Sequence, residues 1–198
     1  MKKVEDYITQ SYQNSVSKGW YDEKRSFLER ASLMNTEIAE ATEEVRNSKE
    51  DYYLIGDKPE GQSVELADLL IRIFDYLGSS EIDIQPYIKS QFKFLDKDLF
   101  TISDIINEIK TNHNLKILNN IKSINTDLEF HAFISLSISD SVRTFIKKDF
   151  DTHFYFLVEA FIKVLYYSNL KCWNIESIIE KKHLYNINRP YKHGGKKC

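Results

Sequence analysis

Two stretches decide the fold: residues 35–46, NTEIAEATEEVR, and residues 63–77, SVELADLLIRIFDYL. In each, apolar residues recur at helical spacing: Ile38 and Ala41 in the first, Leu66, Leu69 and Ile73 in the second. Glu37 and Glu40 are three residues apart, as are Glu65 and Asp68, and that spacing puts each pair on one helix face. The connection, residues 47–62, carries Lys58, Pro59 and Gly61 and reads as a loop. A loop there permits an antiparallel hairpin in which the four carboxylates converge. Four like charges stay together only around a cation, and hard oxygen donors in that number suit Mg²⁺ or Mn²⁺. Such an ion is completed by phosphate, so phosphate chemistry on a helical scaffold is the first expectation. With 30 acidic residues in 198, acidic pairs also arise on solvated helix faces. The apolar residues interleaved with these two pairs set them apart.

The rest of the composition agrees with an all-α chain. Six glycines and three prolines are too few for a β-rich or loop-rich protein. Apolar periodicity and start signals predict helices near 3–17, 23–47, 63–78, 84–97, 103–111, 114–125, 127–148, 153–169 and 175–186. Ser63, Asp83 and Asn174 stand as starting residues, Pro86 falls within a first turn, and Thr126 with Glu129 forms a capping box. The tail from Asn188 on, with Pro190, Gly194 and Gly195, is expected to be extended. A net charge of −3 carries no electrostatic footprint for nucleic acid. Two cysteines, Cys172 and Cys198, argue against a structural disulfide. The opening MKKVEDYITQ does not resemble a signal peptide, and the apolar run 154–167 carries Glu159 and Lys163. These features together predict a cytoplasmic protein with no membrane partner.

Longer motifs narrow the expectation. GWYDEKRSFLERASLMNTEIAEATEEVRN (19–47), then KPEGQSVELADLLIRIFDYLG (58–78), resembles the MazG-like nucleotide pyrophosphohydrolases. These belong to the all-α NTP pyrophosphatases, a group that also contains the dimeric dUTPases. The ending KKHLYNINRPYKHGGKK (181–197) is similar to the basic tail of phage-type members. The resemblance covers residues 19–89 and 174–197. It implies a helical bundle and Mg²⁺-dependent hydrolysis of nucleoside triphosphates to monophosphate and pyrophosphate, as in housecleaning of the nucleotide pool. The implied metal ligands are Glu37, Glu40, Glu65 and Asp68, with Glu40 or Glu37 as the group that activates water. Glu44, four residues past Glu40, is a further acid for the same face, whereas Glu43 and Glu44 also fit solvated charges near a helix end.

The implied substrate contacts are Arg72, Lys182, Asn186, Arg189, Tyr191, Lys192, His193 and Lys196, with Trp20 and Asn35 as candidates for the base. Arg72 also fits a purely structural role beside Asp68, and Trp20 a place in the core. A dUTPase- or dCTPase-type specificity and a non-catalytic nucleotide-binding module are the alternatives. Survival of all four carboxylates favours an enzyme over the module.

The chain departs from short members of that family by an insertion of about residues 90–173. The insertion reads as a second copy. Residues 66–88 align without a gap to 157–179, an offset of 91, and LERASLMNTEIAEA (28–41) aligns with LEFHAFISLSISDS (128–141), an offset of 100. In that copy Glu37 becomes Ser137, Glu40 becomes Asp140, Glu65 becomes Phe156 and Asp68 becomes Glu159. The expectation is one compact domain: a catalytic unit over 1–98, a degenerate unit over 99–187 about a pseudo-twofold axis, and a basic tail over 188–198. A fused pseudo-dimer completes its site as a monomer, although a homodimer is not excluded by sequence.

Overall fold

The computed structural model describes residues 2–92, 96–111 and 124–195. The described residues are mostly helical, with one small hairpin. The helices are α1 (Val4–Ser17), α2 (Phe27–Arg46), α3 (Gln62–Ser79), α4 (Gln85–Gln91), α5 (Ile102–Thr111), α6 (Asp127–Ile146), α7 (Phe150–Leu170), α8 (Ile175–Asn188) and α9 (Lys192–Gly195). The helix expected at 114–125 lies almost wholly outside the described residues. No described helix is long and apolar enough to cross a membrane.

The centre of the bundle is α3. Val64, Leu66, Ala67, Leu69, Leu70, Ile73, Phe74 and Leu77 are all buried, and they cover the helix except for the face that carries Glu65, Asp68, Arg72 and Asp75. So wide an apolar face must be enclosed, and α3 packs against α1, α2, α7 and α8. Phe74 meets Phe161 of α7 edge to face, with ring centroids 5.4 Å apart.

The connection 47–62 is not a plain loop. Tyr53–Ile55 (β1) pairs antiparallel with Lys58–Glu60 (β2), placing Tyr53 opposite Glu60. Backbone pairing there satisfies donors that an open loop would leave to water. Gly61 follows at φ 111°, and a Cβ on it would lie 2.6 Å from the Asp51 carbonyl oxygen. Only glycine admits that approach. Ser63 does not precede α3, because the helix already begins at Gln62. Its hydroxyl instead donates to the Asp51 carbonyl at 2.6 Å and ties the hairpin to α3.

Helix α4 stops at Gln91, short of the expected residue 97. The chain folds back along it: the Gln85 side chain bonds the Leu99 carbonyl and amide at 3.1 and 3.2 Å, and Lys89 meets Asp98 at 2.7 Å. A continuing helix would carry Leu99 away from those partners.

Helices α2 and α6 are each 20 residues long, and each opens on a capping box, Ser26 with Glu29 and Thr126 with Glu129. They pack on each other, and each packs on the next long helix, α3 or α7. At the α2–α6 contact the Ser135 hydroxyl donates to Asn35 Oδ1 at 3.0 Å, one residue against its offset-100 counterpart. At offset 91, Gln62 corresponds to His153 and Tyr76 to Tyr167. Gln62 bonds the Tyr167 hydroxyl at 2.6 Å, and the Tyr76 hydroxyl lies 3.0 Å from His153 Nε2. These three contacts join α2 to α6 and α3 to α7.

Candidate metal centre

Helix α2 contributes Glu37, and α3 contributes Glu65 and Asp68 from one face. One carboxylate oxygen from each lies within 4.8 Å of the others. Glu37 and Glu65 are buried, and Asp68 is partly so. Unit charges at that separation repel by about 3 kcal/mol per pair at an effective dielectric of about 20. The protonation of the group follows. Burial pushes the Glu37 carboxyl up to about 7, with Arg72 opposing and Asp68 and Glu40 adding. Burial pushes Glu65 further, to about 9, with Lys182 opposing and Asp68, Glu37 and Glu40 adding.

Two cations stand against the acids. Arg72, one turn after Asp68 on α3, donates from Nε to Glu37 Oε1 at 2.5 Å and so joins α3 to α2. Lys182 on α8 is only 3 % exposed and places its ammonium 2.9 Å from Asp68 Oδ2. Burial disfavours its charge, but Asp68 and then Glu65 outweigh this and raise its pKa. Asn186, one turn further along α8, donates to Asp68 Oδ1 at 3.3 Å. Its own Oδ1 is buried with no hydrogen-bond partner. An orphaned buried oxygen on a side chain that bonds Asp68 is a site for a donor or a cation. Three acids and two bases leave one excess negative charge when all are ionised.

Glu40, expected among the ligands, is exposed on α2 and is not one of the three converging acids. Its charge still acts on Glu37 and Glu65. Glu43 pairs with Arg46 at 2.7 Å, and Glu44 accepts from the Tyr53 hydroxyl of β1 at 2.9 Å. Neither enters the group of three.

The tail is docked, not extended. Lys18 Nζ donates to the Arg189 carbonyl at 2.7 Å, and the Lys192 amide donates to the Lys18 carbonyl at 3.0 Å. The Tyr191 hydroxyl bonds Asp22, and the Lys192 ammonium lies 3.8 Å from Asp22 and 3.7 Å from Glu23. The Arg189 guanidinium faces the Tyr185 ring. The acidic partners of Tyr191 and Lys192 therefore come from the segment before α2, while Lys182 and Asn186 alone among the expected tail contacts bond Asp68. Lys196 lies outside the described residues, as does the side chain of His193. Trp20 is half-buried beneath the Arg25 guanidinium, 4.9 Å from its ring centre, and Asn35 faces Ser135 across α2 and α6.

Sequence reasoning did not single out what fastens the segment before α2. Asp75 of α3 accepts from Tyr21 at 2.9 Å and from Arg30 at 3.2 Å, both well inside the protein. Those residues carry no spacing signal, since they come from three elements. Comparison with models of known protein families, with curated proteins and with solved structures returns no match to this chain.

Proposed function

We propose that this protein is a MazG-like hydrolase that splits nucleoside triphosphates, deoxynucleotides first, into monophosphate and pyrophosphate. The convergence of Glu37, Glu65 and Asp68 within 4.8 Å carries this reading. The donor set fits Mg²⁺ or Mn²⁺: all the atoms are hard oxygens, and Asn186, which bonds Asp68, keeps its own buried Oδ1 unpartnered. Glu37, Glu65 and Asp68 would hold the cation, which when bound would neutralise phosphate charge and acidify a water. The chain's own groups do the rest. Arg72 holds the Glu37 carboxylate, while Lys182 and Asn186 hold both oxygens of Asp68. Glu40, exposed on α2, would take a proton from water. Arg189, Tyr191, Lys192, His193 and Lys196 would supply the groups for the phosphate chain, and Tyr191 and Lys192 would leave Asp22 and Glu23 to do so.

The finer architecture belongs to the same reading. The bundle is a duplicated unit, 23–97 against 127–186, with one composite site per chain. The matched capping boxes and reciprocal contacts of α2 with α6 and α3 with α7 support it. Because the dimeric dUTPases pair such units, these contacts also favour a dUTPase- or dCTPase-type specificity as the second reading. One experiment separates the readings. A panel of NTPs and dNTPs, dUTP and dCTP included, is incubated with Mg²⁺ and analysed for pyrophosphate and orthophosphate. Pyrophosphate with monophosphate is expected, with little turnover of monophosphates. Orthophosphate as the first product sinks the proposal, and turnover of dUTP or dCTP alone selects the narrower enzyme.

A further inference from the structure

The second copy holds its own charge where the first gathers carboxylates. Its counterparts of Glu37, Glu65, Asp68 and Arg72 are Ser137, Phe156, Glu159 and Lys163. The Lys163 side chain is 1 % exposed, against 39 % for Arg72. Its ammonium lies 2.7 Å from Glu159 Oε1, 2.7 Å from Ser137 Oγ and 3.0 Å from the Phe133 carbonyl. Those three acceptors use all three of its hydrogens. Ser137 closes the ring by donating to Glu159 Oε1 at 2.9 Å. The ammonium also lies over the Phe133 ring, 3.5 Å from its centre.

The substitutions explain one another. Glutamate at position 137 would fill the space that the ammonium occupies, and serine leaves it open. Carboxylate at position 156 would add a charge that one lysine could not balance, and phenylalanine removes it. Arg72 reaches Glu37 from the rim, its side chain 39 % exposed, whereas the Lys163 ammonium is enclosed. Burial lowers the Lys163 pKa and Glu159 works the other way, so the ion pair is what keeps the charge inside.

We propose that the Lys163 ammonium stands permanently where the first unit would hold its cation, so that the second acidic position is closed and each chain has a single cation centre. The proposal rests on the cation reading of the first unit and on the equivalence of the two. It makes the half of the bundle around α6 and α7 independent of metal.

The test measures Mn²⁺ binding by electron paramagnetic resonance, with melting temperature followed in chelator. Wild type is expected to bind Mn²⁺. The Glu37→Gln/Asp68→Asn variant is expected to lose at least about tenfold in affinity, while Glu159→Gln and Lys163→Met keep wild-type affinity. Glu159→Gln and Lys163→Met should each melt lower, by about 6–20 °C if the full cost of breaking a buried pair is felt, and Mn²⁺ should not restore the loss specifically. Mn²⁺ binding that survives Glu37→Gln/Asp68→Asn and is lost in Glu159→Gln overturns the proposal. So does a Lys163→Met protein that melts with wild type. Wild type that binds no Mn²⁺ overturns instead the cation reading on which the proposal rests.

Discussion

Burial raises the Glu65 carboxyl well above its ordinary range, and its protonation yields a signed prediction. Its folded pKa of about 9 lies above the ordinary carboxyl value. The folded state therefore holds this proton over a pH range in which the unfolded state has released it. The stability associated with the proton is present below the unfolded value and is lost as pH rises towards about 9. Glu37, raised to about 7, adds the same sign over a narrower window. His131 and His153, both lowered by burial, act in the opposite sense at acid pH. Comparing wild type with Glu65→Gln cancels them. In chelator, the variant should gain on wild type steadily between pH 5 and 9, as read by thermal melts; parallel curves would refute the raised pKa. Glu37→Gln, Glu65→Gln and Asp68→Asn should each cut Mg²⁺-dependent turnover by more than the roughly 10–100-fold typical of groups that merely orient a ligand. Circular dichroism should stay helical in all three. Full activity in any two would remove the assignment. The acids themselves were legible in the sequence, because i, i+3 spacing is a local property. The exclusion of Glu40 from the group was not, because it depends on where α3 lies against α2.

At the scale of elements, the tail and the caps are open to test. Tyr191 sits on Gly19, whose φ is 76°, and a Cβ at that position would run into the tyrosine ring. Gly19→Ala should therefore release the tail, and trypsin should cut at Lys192 faster than in wild type. Equal cutting rates would mean that the docked segment is held by other contacts. Truncation after Tyr185 removes Asn186 and everything beyond it but keeps Lys182. It should raise KM or abolish turnover while Mn²⁺ binding remains measurable, and normal kinetics would reject the composite site. Ser26→Ala and Thr126→Ala each remove a cap worth about 1 kcal/mol, or about 2–4 °C in melting temperature for a chain of this size. The Thr126 box was readable from four residues of sequence, whereas the Ser26 box emerged with the structure, because the predicted helix began at residue 23 and ran over it. The docking of the tail was not readable, since Lys18, Asp22 and Glu23 lie more than 160 residues from it in the chain.

For the whole molecule, the balance of charge at the acidic group and at the Lys163 cluster is the quantity that matters. The first has three acids against two bases, and the second has one of each. A cation at the first should stabilise the folded protein by about 2.7 kcal/mol at a hundredfold excess over its dissociation constant. Calorimetric melts with and without Mg²⁺ check this, and an unchanged melting temperature would count against a cation centre.

The sequence alone determined the helical class, the placement of most helices, the capping box at Thr126 and the four acids. All of these follow from periods and spacings within one element, where neighbours in sequence are neighbours in space. Tertiary structure decided which acids meet, that Lys182 and Asn186 reach Asp68, that the tail lies on residues 18–23, and that Lys163 turns inward to Ser137 and Glu159. Those outcomes depend on the angles and separations at which α2, α3, α6, α7 and α8 pack, and no local pattern encodes them. A lysine four residues after an acid reads as a solvated pair. It becomes a buried counter-charge only once the facing helix presents a serine and a carbonyl.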